Sequence, residues 1–353
     1  MTNNIKLVIE NFKGVLKAEI DLPKVSILIG GNNSGKTTLL EALYLLSGPC
    51  NTTPYVVNDR IACVLEVLNY LHAGPTTSDY SFLIYKYVAN NVRIYGKFEE
   101  KEYELRIYNT GDSLIFYTPL SKAFIQVHCV AKNISGEIRP YPDTRKELPP
   151  GISSWTSEER IKLPKALYIH PSLCKPAWKY FIKSWSRMVS ITPHVASYLQ
   201  GLTREEVQNI TLEPFTGGEL TLYAMIRTGE RIRLSDMGDG IQALATLMIL
   251  YEHVKPKLLL IDDVESHLNP RALKILAQWL LKVIEEDNIY FIASTHSLET
   301  AKLLTTTLEE LGARIILLDL RDGILYNREL TIDEVEKLEK SGIDPRLAEA
   351  LLI

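Results

Sequence analysis

Three short stretches of this chain carry side chains of the kind that handle phosphate. Gly30-Gly31-Asn32-Asn33-Ser34-Gly35-Lys36-Thr37 fits G-x-x-x-x-G-K-[ST], and it lies between an apolar run, Val25 to Ile29, and a helix-forming run from Gly35 through Leu46. Glycines let the backbone curl until its N–H groups face the β- and γ-phosphates, and the following helix start adds positive potential. In such a loop Lys36 bridges the β- and γ-phosphates and Thr37 is a ligand for Mg²⁺, with Asn32, Asn33, Ser34 and Thr38 completing the lining. A phosphate loop alone hydrolyses nothing. The second stretch, "KLLLIDDVESHLNP", brings carboxylates to the end of an uninterrupted apolar strand, Leu258 to Ile261. Asp262 is placed to hold Mg²⁺ through water, and Asp263 or Glu265 to orient or deprotonate an attacking water. Three carboxylates so close repel one another unless a cation sits among them. Capping of the helix from Pro270 is a plainer role open to Glu265, but one that suits Asp262 poorly. In the third stretch, "FIASTHSLET", His296 follows the strand Ile289 to Ala293 and faces the crevice at the strand ends, as a γ-phosphate sensor would; a structural core histidine is the plainer alternative.

Such groups need a sheet to hold them. From residue 216 the pattern runs Leu220 to Ile226, Ile232 to Leu234, a nearly all-apolar helix Ile241 to Tyr251, the strand Leu258 to Ile261 and a helix from Pro270. The strand Ile289 to Ala293, a helix after Ser297 and the strand Arg314 to Leu318 complete it. Continuous apolar strands between helices imply a sheet covered on both faces. Upstream, Ile5 to Glu10 and Leu16 to Ile20 read as strands, Asp59 to Leu71 as a second helix, and Ser81 to Val88, Val92 to Phe98, Glu102 to Tyr108 and Ser113 to Tyr117 as an antiparallel meander. The expected fold is α/β, a P-loop NTPase with a mixed sheet, an antiparallel β subdomain and a short irregular insertion. Its expected divisions are a first lobe, 1–118, an insertion, 119–215, and a second lobe, 216–353. The insertion contains a proline-rich loop (Pro140, Pro142, Pro149, Pro150) and a helix opened by Pro176. On that helix Trp178, Phe181, Ile182, Trp185 and Val189 share a face, beside a stripe of Lys175, Lys179, Lys183 and Arg187. The stripe would suit a nucleic-acid backbone, although an ordinary solvated face over a buried one is the simpler account.

Composition narrows the partners. The 353 residues are 46% hydrophobic, enough for a packed core, and a net charge of -4 gives no global attraction to nucleic acid or anionic lipid. No signal peptide and no membrane-spanning run are legible, so a cytoplasmic protein without membrane contact is expected. The scattered Cys50, Cys63, Cys129 and Cys174 read as reduced, mostly buried thiols.

"IKLVIENFKGVLKAEIDLPKVSILIGGNNSGKTTLLEAL" resembles the amino-terminal start of SMC-like ABC-type ATPases, the group of RecF, the break-repair ATPase heads and the ATPase halves of OLD-family nucleases. "IDDVESHLNP" and "STHS" resemble that family's Walker B, D-loop and switch-histidine motifs, in the same order. The resemblance implies ATP and Mg²⁺ as cofactors and an ATP-dependent homodimer in which each head's signature motif completes the partner's site. The signature is where the chain departs. Two registers are open, one on Leu234-Ser235 and a preferred, gapless one on Asp239-Gly240-Ile241-Gln242, with a helix opening at Ile241. The second puts a carboxylate where the family has serine, so that Ser235 or the Gly238 and Gly240 amides would take the phosphate contact. Asp263 stands where the family has glutamate, which implies either slow turnover or assistance from Glu265. Asn11 and Lys13 lie where the family contacts nucleotide from its first strands, and Gln126 is the nearest candidate for the family's Q-loop glutamine. Neither a long coiled coil nor a nuclease domain accompanies these motifs, which implies an ATPase head in DNA maintenance or defence that acts on DNA or through a separate nuclease or effector. The alternative is a nucleotide-gated switch or scaffold; a transporter subunit is disfavoured.

Overall fold

The computed structural model describes residues 4–73, 79–119, 124–133, 137–140, 153–154, 164–203 and 206–347. A hairpin of β1 (Ile5–Phe12) and β2 (Val15–Leu22) leads to β3 (Val25–Ile29), all five of whose residues are buried. The phosphate-loop sequence then turns into α1 (Lys36–Leu45), followed by β4 (Thr52–Val57), β5 (Arg60–Cys63) and α2 (Val64–His72). The meander comprises β6 (Asn91–Phe98), β7 (Lys101–Asn109), β8 (Ser113–Pro119), β9 (Phe124–Lys132) and β10 (Ile138–Pro140). Next come β11 (Ser153–Ser154), β12 (Ala166–Ile169), α3 (Cys174–Lys183), α4 (Thr192–Leu199), β13 (Val207–Pro214), β14 (Leu220–Ile226) and β15 (Arg231–Arg233). The last part runs α5 (Asp239–Val254), β16 (Leu258–Ile261), α6 (Pro270–Asp287), β17 (Tyr290–Ser294), α7 (Leu298–Thr307), β18 (Arg314–Arg321), β19 (Ile324–Leu330) and α8 (Ile332–Lys340).

One 14-stranded mixed sheet carries the fold, in the order β10-β9-β8-β7-β6-β1-β2-β19-β18-β3-β17-β16-β12, with β11 against β9. From β18 to β12 neighbours are parallel, and their short apolar strands are buried between helices. From β2 to β10 they are antiparallel, as the meander sequence implied. A separate sheet, β13-β14-β15, packs against α4.

Several expectations from the sequence give way to pairing. In place of a helix from Asp59, Val56 and Val57 pair with Ile61 and Arg60 across an Asn58-Asp59 turn at φ 48 and 59, so α2 starts only at Val64. Ser81 to Val88 forms two 3₁₀ turns instead of a strand, with Lys86 and Tyr87 at positive φ. The basic helix stops at Lys183, leaving Arg187 on a separate 3₁₀ turn; Phe181 is buried while Ile182 and Val189 are exposed. Lys179 pairs with Asp59 at 3.4 Å, and the Lys183 ammonium donates to the Asp59 carbonyl. α5 opens at Asp239, two residues before Ile241. Cys50 and Cys129, expected as thiols, form a disulfide because the sheet folds β9 back beside the end of α1; Cys63 and Cys174 are free. Gln126 sits in β9 opposite Thr118, within the meander and with seven strands between it and β3, and so is not placed at the phosphate loop. The proline-rich loop lies largely outside the described residues.

α1 is anchored by a buried charge. Glu41 receives the Lys13 ammonium from the β1–β2 turn and lies 2.6 Å from His72 Nε2 at the end of α2. Burial pushes its pKa up, but Lys13 and His72 together outweigh this and hold it below the ordinary 4.5. A depressed carboxylate stabilises the fold above its unfolded pKa, and that contribution fades as pH falls through the folded value. Glu41→Gln is therefore expected to cost about 3 kcal/mol near pH 7, because it removes the buried carboxylate that the partly buried Lys13 ammonium is paired with. Urea melts should show the gap to wild type narrowing below about pH 4.5; a gap that is constant with pH overturns the assignment.

Candidate functional site

The carboxyl ends of β3, β17, β16 and β12 lie side by side, and each releases a functional segment. The phosphate loop leaves β3 and passes Gly30 at φ 151, Asn33 at φ 63 and Gly35 at φ 89. The glycines are also steric necessities. A Cβ on Gly30 would lie 2.3 Å from the Leu318 carbonyl oxygen of β18, and one on Gly35 would lie 2.8 Å from Leu325 Cδ1 of β19. Gly35 caps α1 without a side-chain bond, so the first-turn amides, including those of Thr37 and Thr38, are left for an anion. Asn32 and Asn33 are exposed, whereas Ser34 is buried. Lys36, only 5% exposed, turns its ammonium onto the Gly30 and Gly31 carbonyls at 3.0 and 2.9 Å and Ser34 Oγ at 3.3 Å. Burial lowers its pKa, while Asp263, Asp262 and Glu265 pull it back up, which shows that the three carboxylates share its field.

Each carboxylate is held differently. Asp262, buried at the tip of β16, accepts a hydrogen bond from Ser294 Oγ on one oxygen and from Tyr168 Oη, at 3.0 Å, on the other. Asp263 adopts φ 50, its amide donates to Ser294 Oγ at 2.8 Å, and its Oδ1 lies 3.4 Å from His296 Nε2. Burial and the neighbouring Asp262 raise the Asp263 pKa above 3.8, against the pull of His296. Glu265 accepts the His296 amide at 2.7 Å on Oε1, while its buried Oε2 has no hydrogen-bond partner among the described residues. His296 is thus tied to two of the three carboxylates, one through its ring and the other through its backbone.

The donor chemistry fits Mg²⁺ held mostly by phosphate and water. Among the described residues no group of three or more His, Cys, Asp or Glu side chains could cage a metal. The half-buried Thr37 at the start of α1 and Asp262 could serve as the sparse protein donors that such an ion takes.

Other candidates lie apart from the loop. Asn11 donates to the Asn91 carbonyl at 3.0 Å on β6, and Lys13 is engaged by Glu41. Among the described residues Ser235, Gly238, Asp239 and Gly240 make no hydrogen bond to the phosphate loop. Gly238 caps α5, the exposed Asp239 carboxylate lies 3.8 Å from His267 Nδ1, and a Cβ on Gly240 would lie 3.1 Å from the His267 carbonyl. A cavity of about 350 Å³ runs from Asp239 and Gln242 to Asp262 and Asp263, so α5 and β16 share one void.

Four side chains at the site escaped the sequence reading: Tyr168, His170, Ser294 and Arg346. His170 leaves β12 as His296 leaves β17, and its Nδ1 accepts the Ser172 amide at 3.1 Å, which puts the proton of the neutral ring on Nε2. Burial lowers its pKa, opposed by Asp262 and Asp263. An apolar run ended by a histidine, "ALYIHP", was the available signal.

Two family models match the chain, one described as AAA ATPase domain over residues 4–148, the other as AAA domain, putative AbiEii toxin, Type IV TA system, over residues 225–301. An ATP/GTP phosphatase of Helicobacter pylori is 22% identical over 342 residues, covering 86% of this chain and 87% of the relative. An uncharacterized protein of Methanocaldococcus jannaschii is 32% identical over 114 residues, which make up 31% of this chain and 99% of that protein. Among solved structures, the Smc head domain of Pyrococcus furiosus, with an extended coiled coil and bound to the C-terminal domain of ScpA, superposes with a TM-score of 0.53 at 14% identity. It covers 97% of this chain and 99% of that one.

Proposed function

We propose that this chain works as an SMC-like ABC-type ATPase head, and from that premise that two copies close face to face on two Mg-ATP molecules. Hydrolysis then reopens them, and the cycle drives a conformational change in DNA maintenance or defence through a separate effector. The observation that carries the reading is the convergence of Lys36, Asp262, Asp263, Glu265 and His296 on one crevice. In it Lys36 grips the β- and γ-phosphates, Thr37 and Asp262 hold Mg²⁺, Asp263 with Glu265 orients the attacking water, and His296 senses the γ-phosphate. Mg²⁺, when bound, neutralises charge on the phosphate oxygens. Gly238 caps α5 without a side-chain bond, which leaves the first amides of that helix for the nucleotide of the partner copy. There the Ser235 hydroxyl and the Gly238 and Gly240 amides meet the nucleotide, and Asp239 turns to His267.

The ScpA-bound neighbour and the family description naming a toxin support an effector partner. Duplex DNA is the cargo proposed for the face bearing Lys175, Lys179, Lys183 and Arg187, where Lys179 meets Asp59 in an exposed pair. Light scattering tests the sandwich. A non-hydrolysable ATP analogue with Mg²⁺ is expected to double the mass of wild type and not of Lys36→Ala; an unchanged mass at saturating analogue overturns it. A second reading, a nucleotide-gated switch with little turnover, draws on the short Asp263 side chain and its engagement with His296.

A further inference from the structure

The turn Pro345–Leu347, after α8, lies on the phosphate-loop side of the crevice. Arg346 donates through Nη1 to the His296 carbonyl, and its Nε and Nη2 form a fork on Asp344 at 2.9 and 2.6 Å. These bonds leave two of the five guanidinium N–H groups without a partner among the described residues. Its charge reaches Lys36 strongly enough to oppose the carboxylates there, and the neighbouring Leu347 approaches Gly31, whose built Cβ would be 3.9 Å from Leu347 Cδ2. Arg346 is one-third exposed, so its free donors are open to a ligand.

We propose that Arg346 is a recognition residue for the terminal phosphate of a bound nucleoside triphosphate, held in place by Asp344 and by the backbone of His296. The inference rests on the triphosphate site proposed above. Asp344 and the His296 carbonyl fix the plane of the guanidinium before any ligand arrives, so little side-chain freedom is lost on contact. The phosphate contacted is the one next to His296, because the residue whose carbonyl Arg346 holds also carries the ring facing Asp263 and the amide bound to Glu265. A diphosphate lacks that group. Arg346 therefore separates triphosphate from diphosphate, a task distinct from the general attraction exerted by Lys36.

Calorimetric titration of a non-hydrolysable ATP analogue and of ADP, each with Mg²⁺, tests this on wild type and Arg346→Ala. The variant is expected to lose about tenfold in affinity for the triphosphate analogue while ADP changes by less than about twofold. Equal weakening of both nucleotides, or of neither, overturns the role. If Arg346→Ala does not fold, Arg346→Gln, which keeps much of the length and a donor for the His296 carbonyl, is measured against the same outcomes. Wild type that binds neither nucleotide overturns the site itself. Wild type that prefers the triphosphate as strongly as the variant overturns Arg346 alone.

Discussion

Lys36→Ala is expected to lower steady-state ATP hydrolysis by about 10³-fold. The ammonium is the one cation buried in the phosphate loop, held by two carbonyls at 2.9 and 3.0 Å and lying in the field of three carboxylates. When a triphosphate arrives, that ammonium can pass from neutral oxygens to charged ones in a site largely shut off from water, where charge-assisted bonds are strongest. Alanine leaves the same anion facing Asp262, Asp263 and Glu265 without the ammonium in the loop, so binding and turnover fail together. The fold should survive, since Lys36 joins its loop only to Gly30, Gly31 and Ser34. Turnover within about tenfold of wild type, in a variant with an unaltered circular dichroism spectrum, overturns the reading of the loop.

The second large effect concerns the water. Asp263→Asn is expected to reduce kcat by about 10²- to 10³-fold while affinity for a non-hydrolysable analogue stays within about threefold. The split follows from position: Asp263 is half-exposed at the strand end and faces His296, whereas Asp262 is buried and doubly hydrogen-bonded. An amide keeps the shape and the contact with His296 but cannot take a proton. Glu265→Gln is the informative partner, because Glu265 has a buried oxygen with no protein partner. A full loss at Glu265 with little at Asp263 would move the base by two residues, and wild-type turnover no faster than that of Asp263→Asn would favour the switch.

What could be read beforehand was what is local. The phosphate loop, the strand before Asp262, Pro270 as the first residue of α6 and Ser297 as the cap of α7 each depend on neighbours within a few positions, and each is where the spacing put it. The residues that were missed depend on distant chain. Ala166 to Ile169 has its sheet partner far along the chain, and it becomes β12 by pairing with β16, which delivers Tyr168 to Asp262 and His170 to the crevice. The Cys50–Cys129 link spans 79 residues and follows from the fold of the sheet, while Arg346 reaches His296 from 50 positions away. The break after Lys183 is likewise tertiary: Phe181 is buried, and Met188 beyond it is drawn into the same core.

The parallel core meets the meander along a very short seam, Lys17 with Ile324 and Ala18 with Leu325. Leu325 is also the side chain pressed against Gly35 at the head of α1. The same leucine is therefore both rivet and feeler: it ties the edge of the antiparallel wing to the residue that opens α1, so the two halves of the sheet share one packing contact at the mouth of the cradle.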